Sequence, residues 1–525
     1  MHENRETSGT PRTARERGRS AKVPSHKADT HVPEESDRAI VSMNQTNKEG
    51  RSSAEPGERR ARTKENIVQP NTNPTQSGAR VSQGLSGVRE AAEKRRQERF
   101  TALLHHVSVD LLRDSYYALK RQAAPGVDGV TWQEYETGLE NRLTDLHNRV
   151  HRGAYRAQPS RRVYIPKADG RQRPLGIAAL EDKIVQQAVV TILNQIYEVD
   201  FQGFSYGFRP GRSSHQALDA LTVGIQRKRV NWVLDADIQG FFDNMSHEWT
   251  MKFVEHRVAD RRMLRLIQKW LKAGVSEDGQ WSESKMGTPQ GAVVSPLLAN
   301  VYLHYVFDRW IEAWRQKVAT GDVIVVRYAD DLVVGFENRT EAERFLEAFR
   351  ERLAKFGLEL HPEKTRLIEF GRFAAQDREK RGVGKPETFT FLGFTHYCGK
   401  RRSNGSFTVW RKTAKKRMVA KLQAIKAELR RRMHEPTADV GAWLRKVLTG
   451  YHRYHAVPGN LDRLSIFGQR VRRLWWLILR RRSQRRLAWG RFLPIFTRWL
   501  PAPRVLHPYP TARFLATHPR WEPYA

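Results

Sequence analysis

Two adjacent carboxylates lie between two apolar runs in the segment DVIVVRYADDLVVGF, which covers residues 322–336. The runs at 323–326 and 332–334 consist of β-branched residues and leucine, a composition typical of short buried strands. The sequence therefore predicts a hairpin whose turn carries Asp330 and Asp331. Because two like charges so close together repel each other, we expect this turn to hold a cation that neutralises them.

A second acidic site follows another apolar run, in NWVLDADIQGFFDN at residues 231–244. Residues 232–234 predict a strand, and Asp235 and Asp237 follow on alternate positions, hence on one face. A divalent-metal polymerase uses carboxylates from separate strands to hold two Mg²⁺ ions about 4 Å apart. Mg²⁺ takes few protein carboxylates and completes its shell with phosphate and water. The two acidic sites together therefore predict a metal-dependent phosphoryl-transfer centre.

The charge balance indicates the kind of partner. The 525 residues include 92 Lys and Arg against 57 Asp and Glu, a formal net charge of +35, which points to a polyanion. The sequence contains no apolar run of about 18 residues and no signal peptide, so we expect nucleic acid and no membrane. The single cysteine, Cys398, excludes an intramolecular disulfide and a cysteine-clustered zinc site, and it fits a cytoplasmic setting.

Residues 1–95 are predicted to form a disordered basic tail. Phe100 is the first aromatic residue of the chain, and the residues before it offer too little apolar surface to offset chain entropy. A solvated tail and a basic arm that contacts nucleic acid are both compatible with this composition.

Helical and strand patterns alternate between residues 96 and 400, which predicts an α+β fold. Residues 161–177 predict a hairpin and residues 181–199 a helix. Beyond residue 400 the patterns are helical. One apolar stripe on a basic helix is formed by Met418, Leu422, Ile425 and Leu429.

Residues 120–400 resemble the reverse transcriptases of bacterial group II introns through short motifs in the family's order. GVDGVT is similar to the N-terminal extension of the family, and VYIPKADGRQRPLGI and SYGFRPGRSSHQAL are similar to its two fingers motifs. DADIQGFFDN, GTPQGAVVSPLLAN and RYADDLV resemble three palm motifs, and GLELHPEKTRLIEFG and FTFLGF resemble the closing ones. YADD alone is moderately specific, whereas the ordered set is highly specific.

The resemblance implies an α+β right-hand polymerase followed by helical domains. It places fingers and palm at residues 96–400, an all-α thumb at 401–440, and the maturase domain X with a basic C-terminal segment at 441–525. WLRKVLTGYHRYHAVPGN, residues 443–460, resembles the core of domain X. Many family members also carry a cysteine-rich HNH nuclease domain, which this composition does not support. The primer is therefore expected from elsewhere, such as a nick at a replication fork.

The resemblance also implies roles for individual acids. Asp237, Asp330 and Asp331 match the catalytic acids that bind two Mg²⁺ ions, with Asp330 the indispensable member of the adjacent pair. Asp235 shares a face with Asp237, but the family pattern selects the latter. Asp243 is expected to turn the chain into the next helix.

Five further residues match nucleotide-binding positions of the family. Lys167 and Arg173 match fingers residues that contact the triphosphate, and Gln290 matches a residue that contacts the incoming nucleotide. Phe242 matches the aromatic gate that excludes a ribose 2′-hydroxyl, with Phe241 the expected core residue beside it. The fifth match is the palm lysine near the nucleotide phosphates, Lys364.

Two other sets are expected to contact nucleic acid, while Ser246 is predicted to be a helix N-cap and His215 a packed histidine. The residues that match the primer grip are Phe391, Leu392, Gly393 and Phe394. The residues of the domain X segment that are expected to bind RNA are Lys446, Tyr451, Arg453 and Tyr454.

The favoured interpretation is an RNA-directed DNA polymerase of a group II intron. Such a protein would bind its intron RNA to assist splicing and copy it into cDNA from a DNA primer at its target, using dNTPs. Two alternatives remain: an RNA-binding maturase without polymerisation, and a reverse transcriptase of a retron, diversity-generating or defence element. The intact set of three acids speaks against the first alternative, and the segment at residues 443–460 speaks against the second.

Overall fold

The computed structural model describes residues 76–166, 172–401, 403–482 and 487–518. The α-helices are α1 (Gln76–Lys94), α2 (Val109–Ala118), α3 (Trp132–Glu136), α4 (Leu139–Arg152), α5 (Leu180–Asp200), α6 (Ser214–Arg227), α7 (Phe241–Asn244), α8 (His247–Glu255), α9 (Arg261–Lys272), α10 (Ser295–Leu303), α11 (Arg309–Lys317), α12 (Arg339–Ala354), α13 (Ala374–Lys380), α14 (Lys415–Arg431), α15 (Thr437–His455), α16 (Leu461–Arg480), α17 (Trp489–Trp499) and α18 (Pro510–Thr517). The β-strands are β1 (Ser160–Pro166), β2 (Gln172–Ile177), β3 (Trp232–Asp237), β4 (Val275–Glu277), β5 (Gln280–Ser282), β6 (Val323–Tyr328), β7 (Asp331–Phe336), β8 (Arg366–Glu369), β9 (Phe389–Phe391), β10 (Phe394–Lys400) and β11 (Phe407–Thr413). A 3₁₀ turn covers Leu104–His106, and a π-helical turn covers His304–Asp308.

The part of the chain before β3 is built around one long buried helix, α5. Its side chains are buried on most faces, and α1 and α2 pack against it. Beside it lies a sheet in the order β2-β1-β4-β5, in which β1 and β2 form an antiparallel pair and β1 runs parallel to β4. The predicted hairpin at residues 161–177 and the predicted helix at 181–199 are confirmed. No helix within the described ranges is long and apolar enough to cross a membrane.

A central antiparallel sheet has the strand order β6-β7-β3-β8. Its hairpin β6–β7 confirms the strands predicted on either side of the acid pair, and β3 confirms the strand predicted at residues 232–234. Residues 332–336 of β7 are buried, because this strand lies between two others and both of its faces are covered. The sequence of a strand that is covered on both faces is typically a continuous apolar run, and this segment has that pattern.

One apolar core joins the central sheet to helix α6 and to a second sheet with the order β11-β10-β9. Val233 and Val333 contribute to this core from the central sheet, and Phe389 and Phe394 contribute from the second sheet. The second sheet is thereby held against the central one, which carries the predicted acids.

Helices α14, α15, α16 and α17 form a C-terminal bundle with a core of its own. The predicted stripe from Met418 to Leu429 is confirmed, because all four of its residues are buried in that core. The prediction of an all-α segment at 401–440 is wrong for β11, which pairs with β10 along its length. The expected boundary at residue 441 falls inside α15, and the residues on both sides of it pack in one core.

The predicted disordered tail is wrong for its last part, which forms α1. Leu85, Val88 and Ala92 are buried on one side of this helix, which packs against α5 and α2. Their spacing of three and four residues is that of a helical face, so even a short apolar stripe suffices once a neighbouring surface covers it. Residues 1–75 lie outside the described part of the chain.

Candidate active site

The central sheet brings the three predicted acids together. In the antiparallel pairing of β3 with β7, Asp237 lies directly opposite Asp331. Asp330 occupies the tight turn between β6 and β7, next to Ala329, whose φ of 57° lies in the left-handed region. Directly opposed residues of neighbouring strands have their Cβ atoms about 5 Å apart. Two distant segments of the sequence therefore meet at one end of this sheet.

A buried network holds the turn that carries Asp330. The guanidinium of Arg327 donates to both carboxylate oxygens of Asp308, at 2.7 and 2.6 Å, and both residues are fully buried. It also donates to the Asn300 side chain at 2.9 Å and to the Ala329 carbonyl at 3.1 Å. The left-handed residue in the turn is thus fixed through its own carbonyl oxygen by a buried cation.

The loop at residues 204–207 is attached to the same network. The Asn300 side chain donates to the carbonyl of Gly207 at 2.8 Å, and the Arg327 backbone N–H donates to the carbonyl of Phe204 at 2.9 Å. A Cβ atom at Gly207 would lie 2.3 Å from the backbone nitrogen of Ala329, so only glycine allows this approach. Sequence reasoning missed these supporting residues, since their partners lie far away in the chain.

The acids carry negative charge that their surroundings neutralise incompletely. Desolvation raises the pKa of Asp331 to about 6, and the charges of Asp330 and Asp237 add to that increase. Desolvation also raises the pKa of Asp330, and Asp237 contributes here as well. The pKa of Asp235 is raised to about 7, mainly by burial and to a smaller extent by Asp331 and Asp237. Such mutually repelling carboxylates favour a bound cation.

Lys364 supplies a positive charge to this cluster. Its ammonium group donates to a carboxylate oxygen of Asp237 at 2.6 Å, although its side chain is half exposed. The backbone N–H of His361 donates to the carbonyl of Asp237 at 2.7 Å, which holds the segment of Lys364 against the end of β3. Lys364, expected from the sequence to lie near the nucleotide phosphates, therefore contacts one of the three predicted acids.

The donor set fits a hard divalent cation. Asp237, Asp330 and Asp331 offer only carboxylate oxygens, the ligands that Mg²⁺ prefers. Within the described ranges, no three acidic, histidine or cysteine side chains are already gathered closely enough to ligate one ion. At this site the Asp237 carboxylate faces the Lys364 ammonium, which a bound metal ion would have to replace as its counter-charge.

A chain of hydrogen bonds through Arg173, Gln290 and Asp243 connects the first sheet to the segment that follows β3. Arg173 of β2 donates to the side-chain oxygen of Gln290 at 2.7 Å, and the Gln290 amide donates to both carboxylate oxygens of Asp243, at 3.3 and 3.4 Å. The carbonyl of Gln290 accepts from the backbone N–H of Gly176 at 2.7 Å. Asp243, expected only to turn the chain, therefore also orients Gln290. Lys167 lies outside the described residues.

Phe242 lies at the edge of the site with its ring mostly buried. It packs edge-on against Phe241, which is 2% exposed and belongs to the interior, as predicted. The carbonyl of Phe242 accepts from the backbone N–H of Thr288 at 2.8 Å, which ties the ring to the segment that contains Gln290. Ser246 caps the following helix by accepting from the N–H of Trp249, as predicted.

Comparisons with known proteins agree with this geometry. The family model described as "Reverse transcriptase (RNA-dependent DNA polymerase)" matches residues 165–396. Protein YkfC of Escherichia coli (strain K12) is 37% identical over 279 residues, which cover 46% of this chain and 72% of YkfC. The group II intron-encoded protein LtrA of Lactococcus lactis subsp. cremoris is 36% identical over 235 residues, which cover 44% of this chain and 39% of LtrA. This chain belongs to the group II intron reverse transcriptases.

The matched region contains the three predicted acids. Members of this family are RNA-directed DNA polymerases, and residues 165–396 include all three acids on the central sheet. An "Uncharacterized 91 kDa protein in cob intron" of Schizosaccharomyces pombe is 41% identical over 154 residues, which cover 29% of this chain and 19% of that protein. The chain spans less than half of the length of LtrA.

The reverse transcriptase carries a strained turn between β9 and β10. Leu392 and Gly393 both have positive φ, 46° and 84°. The side chains of Phe391 and Phe394 on either side are buried, at 3% and 0% exposure. Of the four residues expected to grip a primer, Leu392 is partly exposed and the other three are buried. A Cβ atom on Gly393 would lie 3.2 Å from the guanidinium of Arg417.

The four residues expected to bind RNA divide into two groups. Lys446 and Arg453 are exposed on α15, as RNA binding requires. Tyr451 is buried in the bundle and stacks on Phe467 with ring centroids 3.7 Å apart, so its ring faces protein and is covered from solvent. Tyr454 is half-buried and donates from its hydroxyl to the carbonyl of Leu392 at 2.7 Å. The RNA contact predicted for Tyr451 is therefore wrong, whereas the one predicted for Tyr454 stays a prediction.

Proposed function

We propose that this reverse transcriptase copies its intron RNA into cDNA at Asp237, Asp330 and Asp331. The same protein would bind that RNA to assist splicing and would support intron mobility by synthesis from a primer at the DNA target. The observation that carries the proposal is the pairing of Asp237 with Asp331 beside the turn of Asp330. The printed name of LtrA, a group II intron-encoded protein, supports the intron as the RNA substrate.

In this proposal the sheets and helices take the places of a right-hand polymerase. The sheet of β1, β2, β4 and β5 with α5 forms the fingers, and the central sheet with β9 and β10 forms the palm. The bundle that begins at α14 combines the thumb with domain X, since one core joins its helices. This division replaces the boundaries expected from the sequence at residues 401 and 441.

The acids would hold two Mg²⁺ ions. When bound, the ions supply activation of the primer 3′-hydroxyl and stabilisation of the charge that develops on the transferred phosphoryl group. The chain contributes the opposed strands that fix the carboxylates, and Arg327 fixes the turn of Asp330 through the Ala329 carbonyl. Lys364 would be released from Asp237 when a metal ion is bound and would then be free to contact the nucleotide phosphates.

The chain of hydrogen bonds through Arg173, Gln290 and Asp243 would lie where the incoming nucleotide binds. Arg173 is already oriented by Gln290 at 2.7 Å, which lowers the ordering cost when its guanidinium meets a triphosphate. Lys167 would add a second cation from the same hairpin. Phe242 would exclude a ribose 2′-hydroxyl, since its backbone is held by Thr288 and its ring by Phe241.

Two surfaces would contact the longer nucleic acids. The turn of residues 391–394 would hold the primer end through its backbone. Lys446 and Arg453, both exposed on α15, would meet phosphates of the intron RNA. The formal net charge of +35 supports a polyanionic partner for such a surface.

The proposal is tested by substitution of one acid. Asp330→Asn should lower cDNA synthesis on an RNA template by at least about a hundredfold, because a metal ion contributes several kcal/mol to the transition state. Splicing of the intron in the presence of this variant should persist, since the bundle is unchanged. Primer extension with dNTPs and a splicing assay measure the two activities.

The control is Glu347→Gln, which removes an exposed carboxylate on α12. It should leave both activities unchanged. An Asp330→Asn protein that extends a primer as fast as the parent would exclude this residue from the catalytic centre. Loss of splicing in Asp330→Asn would contradict the separation of the two functions.

A further inference from the structure

The turn expected to hold the primer is strained and needs support from outside its own sheet. Leu392 has a φ of 46°, a value that costs a residue with a side chain about 1–2 kcal/mol. Other described segments donate hydrogen bonds to this turn: the Ala414 N–H donates to the Gly393 carbonyl at 3.0 Å, and the Tyr454 hydroxyl donates to the Leu392 carbonyl at 2.7 Å. The second bond comes from the bundle, 62 residues further along the chain.

Tyr454 is itself held on the palm side of α15. Its ring stacks on Phe394, with ring centroids 5.6 Å apart and planes inclined by 26°. Phe394 also contacts the ring of the adjacent His455 at 5.1 Å. The hydroxyl therefore reaches the Leu392 carbonyl from a ring whose plane is already fixed.

The buried side chain of Asn460 connects the C-terminal end of α15 to the second sheet through hydrogen bonds. Its amide donates to the Thr413 hydroxyl and to the His455 carbonyl, both at 2.8 Å, and its oxygen accepts from the Thr413 N–H at 2.9 Å. Asn460 is fully buried, so these bonds are shielded from water. These bonds hold the C-terminal end of α15 against β11, close to the place where the Tyr454 side chain contacts the turn between β9 and β10.

From this geometry we infer that Tyr454 is a positioning residue for the primer end, acting through the carbonyl of Leu392. The inference rests on the proposed role of residues 391–394 as the primer grip. It assigns to the maturase bundle a direct part in polymerisation: the bundle fixes the backbone that contacts the primer, while its exposed basic residues face the intron RNA. Tyr454 acts here by holding protein, and its role differs from the RNA contact that the sequence predicted.

Tyr454→Phe tests the inference by removing one oxygen atom while keeping the stacked ring. The KM for the primer–template should rise about fivefold, the loss expected for one neutral hydrogen bond. The kcat at saturating primer–template, the KM for dNTP and the affinity for intron RNA should each stay within about twofold, because no group that contacts them is altered. Steady-state primer extension with an annealed DNA primer on an RNA template gives the kinetic values, and filter binding gives the RNA affinity.

Tyr509→Phe is the matched control, since it removes the same atom from a tyrosine that is 66% exposed. It should change none of these values. A Tyr454→Phe protein with unchanged primer–template KM would overturn the inference. So would a protein whose RNA affinity falls while the primer–template KM stays constant, because that result assigns the hydroxyl to RNA.

A second variant distinguishes the inference about Tyr454 from the proposed primer-grip role of residues 391–394. Gly393→Ala places a side chain at a φ of 84° and against Arg417, so it should raise the primer–template KM about tenfold. If Gly393→Ala raises that KM and Tyr454→Phe does not, the inference about Tyr454 fails and the primer grip stands. If neither variant raises it, the primer-grip assignment itself fails.

Discussion

At the scale of single residues, Arg327 shows how a buried guanidinium can fix the turn that carries Asp330. Asp330 lies three positions after it, and the turn between them contains the left-handed Ala329. Burial raises the pKa of Asp308, and the charge of Arg327 opposes that increase. The charge of Arg327 therefore supports the ionised form of the buried Asp308, and the same guanidinium donates to the Ala329 carbonyl.

Stability and activity should respond differently when this pair is replaced. Arg327→Met leaves a buried carboxylate without its partner and should lower the unfolding free energy by about 3–5 kcal/mol. Adding Asp308→Leu should restore much of that loss, because no isolated charge remains. Primer extension by the double variant should remain low, since the Ala329 carbonyl still lacks its donor. Urea unfolding and primer extension measure the two effects.

Full recovery of primer extension in the double variant would show that Arg327 acts only on stability. An Arg327→Met protein as stable as the parent would contradict the burial argument itself.

At the scale of elements, helix α1 shows the limit of composition as a guide. The residues before Phe100 are polar overall, yet Leu85, Val88 and Ala92 repeat at helical spacing and are buried against α5 and α2. Strand β11 differs from its prediction in another way, because the sequence patterns beyond residue 400 predict helices and this segment forms a strand. Its alternating buried positions become visible only when β10 is present to pair with it.

A charge introduced on one face of α1 should distinguish packing from a solvated helix. Val88→Asp places a carboxylate at a position that is 7% exposed and should lower the unfolding free energy by about 3 kcal/mol. Gly87→Asp is the control, because a Cβ atom there meets nothing within 4 Å. Its effect should stay within about 0.5 kcal/mol. Thermal and urea unfolding of the two variants test the difference, and equal effects would contradict the packing of α1.

At the scale of the whole described chain, its last helix returns to the first half of the sequence. α18 packs against α6, and Phe514 is buried in the same core as the central sheet. Asp219 of α6 is buried and accepts from Arg411 of β11 at 3.1 Å and from Arg513 of α18. One carboxylate thus joins three segments that are almost 300 residues apart at the extremes.

Phe514→Ala should therefore destabilise the core of the central sheet even though it lies near the end of the chain. The expected loss is about 3–5 kcal/mol of unfolding free energy, the cost of a large cavity in a packed interior. Tyr509→Ala removes an aromatic ring that is 66% exposed and should have little effect. Urea denaturation compares the two variants, and similar midpoints for both would contradict the return of α18 to this core.

The sequence by itself determined the features that repeat over short distances. The apolar runs on either side of Asp330 and Asp331 defined a hairpin, the spacing from Met418 to Leu429 defined a buried helical face, and the order of motifs defined the polymerase family. These features are local, because the repeat of a strand or a helix can be recognised within a segment of about ten residues. The strand patterns placed candidate acids at the strand ends, and the family resemblance then selected Asp237 over Asp235.

Only the tertiary structure decided which distant groups support the site. Nothing in the sequence near Asp243 indicates Gln290 as its partner, and nothing near Tyr454 indicates the carbonyl of Leu392. In the sequence, Tyr451 and Tyr454 look alike as aromatic candidates, yet Tyr451 stacks inside the bundle and Tyr454 donates to the turn between β9 and β10. The physical reason is that a hydrogen bond between remote segments depends on how whole elements pack, and local periodicity carries no record of that packing.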